Sequence, residues 1–159
     1  GKMGYALAKM AKTMGADVTL VSGKTEIRPP HGVSTAFVES AEDMYNAVTE
    51  RAENADIIVM AAAVADYTPA EYSDQKIKKS EGDNNLVLKR TKDILAGVGS
   101  SKKSGQVVVG FSMETENLLE NSRKKLLSGK FLIFFISLPL NQRNWAIRAH
   151  KIELPRRSA

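Results

Sequence analysis

Over residues 2–14 the apolar side chains Met3, Ala6, Leu7, Met10, Ala11 and Met14 recur at steps of three and four, and Gly15 ends the run. That repeat is one face of a helix. Residues 17–23, Asp-Val-Thr-Leu-Val-Ser-Gly, form a short β-branched run closed by glycine and read as a buried strand. Residues 25–32, with Pro29, Pro30 and Gly32, are a loop, and residues 35–38 a second short strand. Ser40 with Asp43 three positions on has the form of a capping box, opening a helix to about residue 54 that buries Met44, Val48 and Ala52. Residues 56–61, Asp-Ile-Ile-Val-Met-Ala, have the continuous apolar character of a strand covered on both faces.

Beyond Tyr67 the chain turns polar, with Pro69, Gly82 and the cluster Lys76-Ile-Lys-Lys79 ahead of a short strand at 86–89. Residues 93–98 predict a short helix, 106–111 a strand, and 115–127 a helix whose inner face carries Leu118, Leu119, Ser122 and Leu126. Strands alternating with helices at this spacing predict a three-layer, Rossmann-like α/β domain with a mostly parallel sheet and a long polar excursion near residues 68–90. Ligands of such sheets sit at the carboxyl ends of the strands. The loops after Met60, after Phe111 and before Lys2 are therefore where chemistry is expected.

A length of 159 residues suits one domain, and 43% apolar with 26% charged residues is the range of a globular chain able to form a core. The absence of cysteine excludes disulfides, thiolate metal sites and a Cys nucleophile, and the expected location is the cytoplasm. The longest apolar run, residues 131–136, is far below the ~18 residues of a membrane span, so neither spanning nor export is expected. The net charge of +5 is unevenly placed: residues 131–159 hold Arg143, Arg148, Lys151, Arg156 and Arg157 against Glu153. The remaining 18 basic and 17 acidic residues balance too evenly for a nucleic-acid surface.

Gly1-Lys-Met-Gly4 opens the first helix, where small residues let backbone N–H groups approach an anion, or serve as ordinary helix entry. Ala61-Ala-Ala-Val-Ala-Asp-Tyr67 bares backbone at a strand end. There Asp66 is an acceptor suited to ribose hydroxyls, a base amino group or a cation; the alternative is tight packing with Asp66 as a helix cap. Lys76, Lys78 and Lys79 are either a solvated face or cations on a loop that closes over a triphosphate. Phe111 ends a buried strand and either stacks on a base or belongs to the core, and Lys124 and Lys125 sit near a helix C-terminus. His31 and His150 have no acid at a telling spacing, and no Ser-His-Asp or metal-ligand constellation occurs.

In order and spacing, Gly1-Lys-Met-Gly-Tyr-Ala-Leu-Ala8, Val18-Thr-Leu-Val-Ser-Gly23, Glu39-Ser-Ala-Glu-Asp-Met-Tyr45, Ala61-Ala-Ala-Val-Ala-Asp-Tyr67, Lys76-Ile-Lys-Lys79, Lys92-Asp-Ile-Leu95 and Val109-Gly-Phe-Ser-Met-Glu-Thr-Glu-Asn117 closely resemble phosphopantothenoylcysteine synthetase. The resemblance covers about residues 1–130. It implies ligation of 4′-phosphopantothenate to cysteine with CTP, through an acyl-cytidylate, releasing pyrophosphate and CMP in coenzyme A biosynthesis. It further implies that Asp66 contacts the nucleotide, that Lys76 offsets charge during acyl-cytidylate formation, and that Lys92, Asp93, Ile94 and Leu95 line the base pocket through main chain. Phe111 would pack on cytosine, Lys125 would bind phosphates, and Met60 and Ala62 would face the nucleotide with their backbone. Mg²⁺ would accompany the triphosphate, its protein ligands being unknown beyond Asp66 as a partner. A homodimer is implied, with the segment around Lys76 crossing to the partner. In most bacteria such a domain follows a flavin-dependent decarboxylase, so FMN would belong only to that fused part.

Two departures are visible. The family's strand and Asn-containing loop ahead of Ser-Gly-Lys-Met-Gly do not occur in a sequence opening at Gly1, so full synthesis by this stretch is not expected. A second phosphate-binding lysine is expected about four residues after Lys125, where Gly129 stands beside Lys130. After Lys130 the family pattern is lost, yet shifting one base in a back-translation of residues 142–150 yields Asn-Glu-Ile-Gly-Gln-Phe-Gly-His, near the family's order. Residues 131–159 are therefore read as a frameshift product, a reading that an intact in-frame gene would defeat. Other readings are a non-catalytic nucleotide-binding fragment and an NAD(P)-dependent oxidoreductase. The Tyr-x-x-x-Lys pair of the latter is met by Tyr5 with Lys9 and by Tyr72 with Lys76, neither at the expected place.

Overall fold

The computed structural model describes residues 1–71 and 85–112, together with the backbone of residues 133–136. Its elements run α1 (Lys2–Thr13), β1 (Thr19–Ser22), β2 (Ser34–Phe37), α2 (Ala41–Ala52), β3 (Ile57–Met60), β4 (Tyr67–Pro69), β5 (Leu88–Arg90), α3 (Ile94–Ser100), β6 (Val107–Ser112) and β7 (Ile133–Ile136). β1 pairs with β2 in parallel, and β3, β6 and β7 form a second parallel sheet in that order. This is the Rossmann-like α/β arrangement the alternation predicts. The expected single sheet is described in hydrogen-bonded pieces, since no ladder joins β1 to β3. The expected helix over 115–127 lies outside the described residues.

α2 forms as the sequence dictates. Ser40 Oγ accepts from the Asp43 N–H at 3.0 Å while the Asp43 carboxylate accepts from the Ser40 N–H at 3.0 Å. The Ser40 hydroxyl also donates to that carboxylate, which holds the Asp43 carboxyl below the usual carboxylate range. Orphan N–H groups of the first turn are thereby satisfied. The inner face of α2 reaches a core of Ala52, Ile58, Ile94, Val98 and Val108, with Met44, Tyr45 and Val48 packed against it.

The burial of two elements departs from their apolar pattern. In α1 the stripe Met3, Leu7, Met10 and Met14 is exposed, and Tyr5 (5% exposed) and Ala8 (7% exposed) are the buried residues. Gly4, Ala8 and Ala11 make that side narrow enough for close approach, and the Tyr5 hydroxyl shares a 3.0 Å hydrogen bond with Ser22 of β1. Helical periodicity finds an apolar stripe, but a small-residue face with a polar anchor has won the packing contact. In β3, Ile58 is buried while Ile57 and Val59 are 64% and 43% exposed, so only one face is covered, by the cluster that α2 and α3 share.

A buried amide ties the C-terminus of α2 to β6. Gln106 is 6% exposed; its Nε2 donates to the carbonyls of Ala52 (2.7 Å) and Ala55 (2.5 Å), and its Oε1 accepts from the Lys103 N–H. Carbonyls at a helix end have no partner within the helix, so burying them requires such a donor. Gln106→Leu, which keeps the bulk and removes the donor, is expected to lower unfolding free energy by about 1–3 kcal/mol. Urea unfolding followed by circular dichroism checks it, and an unchanged midpoint would contradict the assignment.

Candidate functional site at the carboxyl ends of β3 and β6

The register sets Met60 beside Gly110, so the chain leaves β3 into Ala61 next to the point where β6 continues through Phe111. Met60, Ala62 and Phe111 thus share one rim of this sheet. The entrance to α1 meets the same rim: a Cβ on Gly4 would lie 3.6 Å from the Ala61 Cβ. No side chain caps the α1 N-terminus and no acidic residue occupies its first turn. Its N–H donors and the positive end of its dipole are therefore available to an anion.

From Ala61 to Ala65 the backbone forms no regular structure, and Thr91 pins its far end. The Thr91 hydroxyl donates to the Ala65 carbonyl at 2.6 Å and the Thr91 N–H to the Asp66 carbonyl at 2.9 Å. These bonds extend an antiparallel pair, β4 with β5, that the sequence reading had only half foreseen: β5 was expected at 86–89, β4 not at all. Tyr67 and Thr68, both strand formers ahead of Pro69, were the signal for it. Asp66 is exposed, and its carboxylate has no hydrogen bond or ion pair to a described residue. It is not a helix cap. Among the described residues no group of three or more metal-ligating side chains assembles.

The side chains of residues 92–95 are committed to structure. Lys92 Nζ lies 2.5 Å from Glu42 Oε1 and 4.9 Å from the centre of the Tyr45 ring, and the hydrogen bond to Glu42 raises its pKa. Asp93 caps α3, its carboxylate accepting from the Ala96 N–H at 2.8 Å. Ile94 is in the core. Leu95 packs so closely on Gly110 that a Cβ there would meet its Cδ2 at 2.6 Å. The resemblance assigned this segment to a ligand through its main chain. Glu42, Tyr45 and Thr91 are the positioning residues that sequence reasoning did not single out, although Glu42 and Tyr45 lie inside one of the quoted motifs.

Phe111 is partly buried at the rim. Lys76 and Lys125 lie outside the described residues, as do Lys78, Lys79, Lys124 and Lys130. Tyr5, one half of a Tyr-x-x-x-Lys pair, is buried and bonded to Ser22, which commits it to packing α1 on β1. The rim as described offers bare backbone, helical N–H groups without a side-chain cap and an aromatic side chain, and the chain that leaves it at Ala61 runs on to the exposed Asp66 carboxylate. That set suits a planar, polar ring bearing anionic groups.

A coenzyme A biosynthesis bifunctional protein CoaBC from Bacillus subtilis (strain 168) is 46% identical over 127 residues, covering 79% of this chain and 31% of that protein. A cysteine/cysteine sulfinic acid decarboxylase from an unknown prokaryotic organism is 44% identical over 127 residues, 79% of this chain and 35% of its own length. The chain thus spans about a third of these curated relatives. The crystal structure of the C-terminal domain of a CoaBC protein superposes with a TM-score of 0.74 at 40% identity, over 86% of this chain and 64% of that one. No helix among the described residues is long and apolar enough to cross a membrane. With residues 1–144 matching the family described as the DNA/pantothenate metabolism flavoprotein C-terminal domain, the chain belongs to that family.

Proposed function

We propose that this chain is the ligase part of a coenzyme A biosynthetic enzyme, joining the carboxylate of 4′-phosphopantothenate to the amine of cysteine at the expense of CTP. The observation that carries the reading is the convergence of the α1 entrance, the backbone at Ala61 and Phe111 on one strand-end rim. The CoaBC relatives are named for coenzyme A biosynthesis.

The chemistry runs in two displacements. A carboxylate oxygen of phosphopantothenate attacks the α-phosphorus of CTP, the bond to the β-phosphate oxygen breaks, and pyrophosphate leaves. The cysteine nitrogen then attacks the acyl carbon of the acyl-cytidylate, CMP leaves with the bonding pair, and the amine gives up a proton. No residue needs to become covalently attached, so the protein acts by positioning and by offsetting charge. Phe111 gives the cytosine a face, the Ala61–Ala65 backbone and Asp66 orient base and ribose, and the α1 N–H groups meet phosphate oxygens. Lys76 and Lys125 are the cations assigned to the developing charge and to the phosphates. Mg²⁺ bound by a nucleotide takes most of its oxygens from phosphates and water. The unpartnered Asp66 carboxylate fits as one further ligand, and the chemistry Mg²⁺ supplies when bound is neutralisation of the triphosphate. Flavin chemistry belongs to a separate decarboxylase part. A cytoplasmic homodimer is the form proposed for the working enzyme, with 4′-phosphopantothenate, cysteine and CTP as its small-molecule partners.

Titration calorimetry with CTP and Mg²⁺ on the full chain tests the binding step. Saturable binding is expected, with Phe111→Ala about tenfold weaker, as loss of one base–aromatic stack implies. No heat on a folded sample, or an unchanged affinity in the variant, overturns the assignment.

A further inference from the structure

The surface of α1 divides into three strips. Gly4, Tyr5, Ala8 and Ala11 turn inward, Met3, Leu7, Met10 and Met14 form the exposed apolar stripe, and Lys2, Ala6, Lys9, Lys12 and Thr13 occupy the third side. Opposite that third side runs the Pro-rich loop carrying Ile27, Arg28, Pro30 and His31, and between them lies an open groove of about 770 Å³. Its volume is in the range of small-molecule sites. No carboxylate is among the described residues lining it. Nor does any described residue form an ion pair with Lys2, Lys9, Lys12 or Arg28, whereas Arg51, Lys92 and Lys103 all have acidic partners. Four uncompensated cations around one concavity raise the local concentration of anions. The floor, by contrast, is apolar: Ala6, Ile27, Pro30 and the ring of Tyr5.

Charge alone would make a solvated surface. Here the loop is held against the helix, because a Cβ on Gly32 would lie 3.3 Å from Lys12 Cε, and Gly32 adopts a left-handed φ of +73° that turns the loop back toward α1. Lys9 and Lys12 are one turn apart on the helix, so their ammonium groups can address one ligand, with His31 and Arg28 approaching from the loop. Lys2 lies about 10 Å from Lys9 and about 15 Å from Lys12 along the axis at 1.5 Å per residue. We propose that this groove is a second anion site, distinct from the nucleotide rim, for a small phosphate-bearing molecule. The phosphate sits between Lys9, Lys12 and Arg28, and any apolar part lies along Ala6, Ile27 and Pro30.

The test uses the full chain at constant ionic strength with two probes, inorganic pyrophosphate and phenyl phosphate, followed by amide chemical shifts and by calorimetry. Shifts are expected in residues 2–13 and 27–32, with affinity for the preferred probe falling about tenfold in Lys9→Gln/Lys12→Gln. Arg28→Gln, on the opposite wall, provides a variant that leaves the helix untouched and is expected to weaken binding severalfold. Tighter binding of phenyl phosphate identifies a phosphate ester as the ligand class, and tighter binding of pyrophosphate identifies a free inorganic anion. Affinity unchanged in both variants, shifts confined to residues 61–66 and 111, or displacement by chloride at equal ionic strength overturns the proposal. Shifts confined to residues 61–66 and 111 would place the anion at the rim instead, and Phe111→Ala addresses the rim reading separately.

Discussion

Lys76→Ala is expected to reduce CTP- and phosphopantothenate-dependent pyrophosphate release by roughly 10²–10³-fold, with CTP binding falling far less. Attack of a carboxylate on the α-phosphorus brings two anions together and passes through a five-coordinate arrangement in which negative charge shifts onto the phosphoryl oxygens and the departing pyrophosphate. A cation aimed at that charge stabilises the transition state more than the bound nucleotide, so its loss appears mainly in the rate. Lys76→Arg, which keeps the charge and changes the shape, is expected to recover part of the release. Lys76 falls in sequence between β4 and β5 and is not a member of the buried cluster of Ala52, Ile58, Ile94, Val98 and Val108, and the far-ultraviolet circular dichroism of both variants is expected to match the parent. Release unchanged in Lys76→Ala would remove the residue from the mechanism. CTP binding with no release in the parent chain would make it a nucleotide-binding module.

Asp66→Ala is expected to weaken CTP–Mg²⁺ binding by about 10–100-fold, the consequence of losing a charge-assisted hydrogen bond of roughly 1.5–3 kcal/mol. The prediction is clean because the carboxylate supports nothing else in the described structure. Its main chain, not its side chain, is what Thr91 holds, at 2.9 Å. Stability should therefore stay within about 0.5 kcal/mol of the parent, as for an exposed side chain without partners. Asp66→Asn separates two possible duties: it retains an oxygen acceptor for a hydroxyl or amino group but loses the charge that favours Mg²⁺. An Asn variant that binds CTP normally while losing its Mg²⁺ dependence would assign the carboxylate to the metal. Calorimetry at several Mg²⁺ concentrations reads the difference, and normal binding by the Ala variant would exclude both duties.

Legibility in the sequence varied with the range of the interaction. Ser40 and Asp43 are three residues apart and announce their capping box directly. The β-branched run of residues 17–23 and the apolar run of 56–61 gave their strands to within two residues. Asp66 and Phe111 were singled out as candidates because a parallel sheet presents its ligands at strand ends, and Met60 and Ala62 through the family resemblance. Thr91 was missed because what it pins lies 26 residues earlier and a lone threonine carries no local signal. The ion pair of Lys92 with Glu42, 50 residues away, left no mark in the sequence for the same reason.

The sequence by itself determined the periods and breaks of the elements, the α/β alternation and the motifs that place the chain in its family. Each depends on neighbours within a turn or a strand, where spacing along the chain is also spacing in the structure. Only the tertiary structure decided which side of α1 turns inward, where small residues and the Tyr5–Ser22 bond prevailed over the more hydrophobic stripe. It alone joined the α1 entrance to the end of β3 and left Lys2, Lys9, Lys12 and Arg28 around one groove without a carboxylate among the described residues. Periodicity fixes the angle between side chains on one element. Contact between elements depends on how closely their backbones approach, and that distance is set by both partners at once.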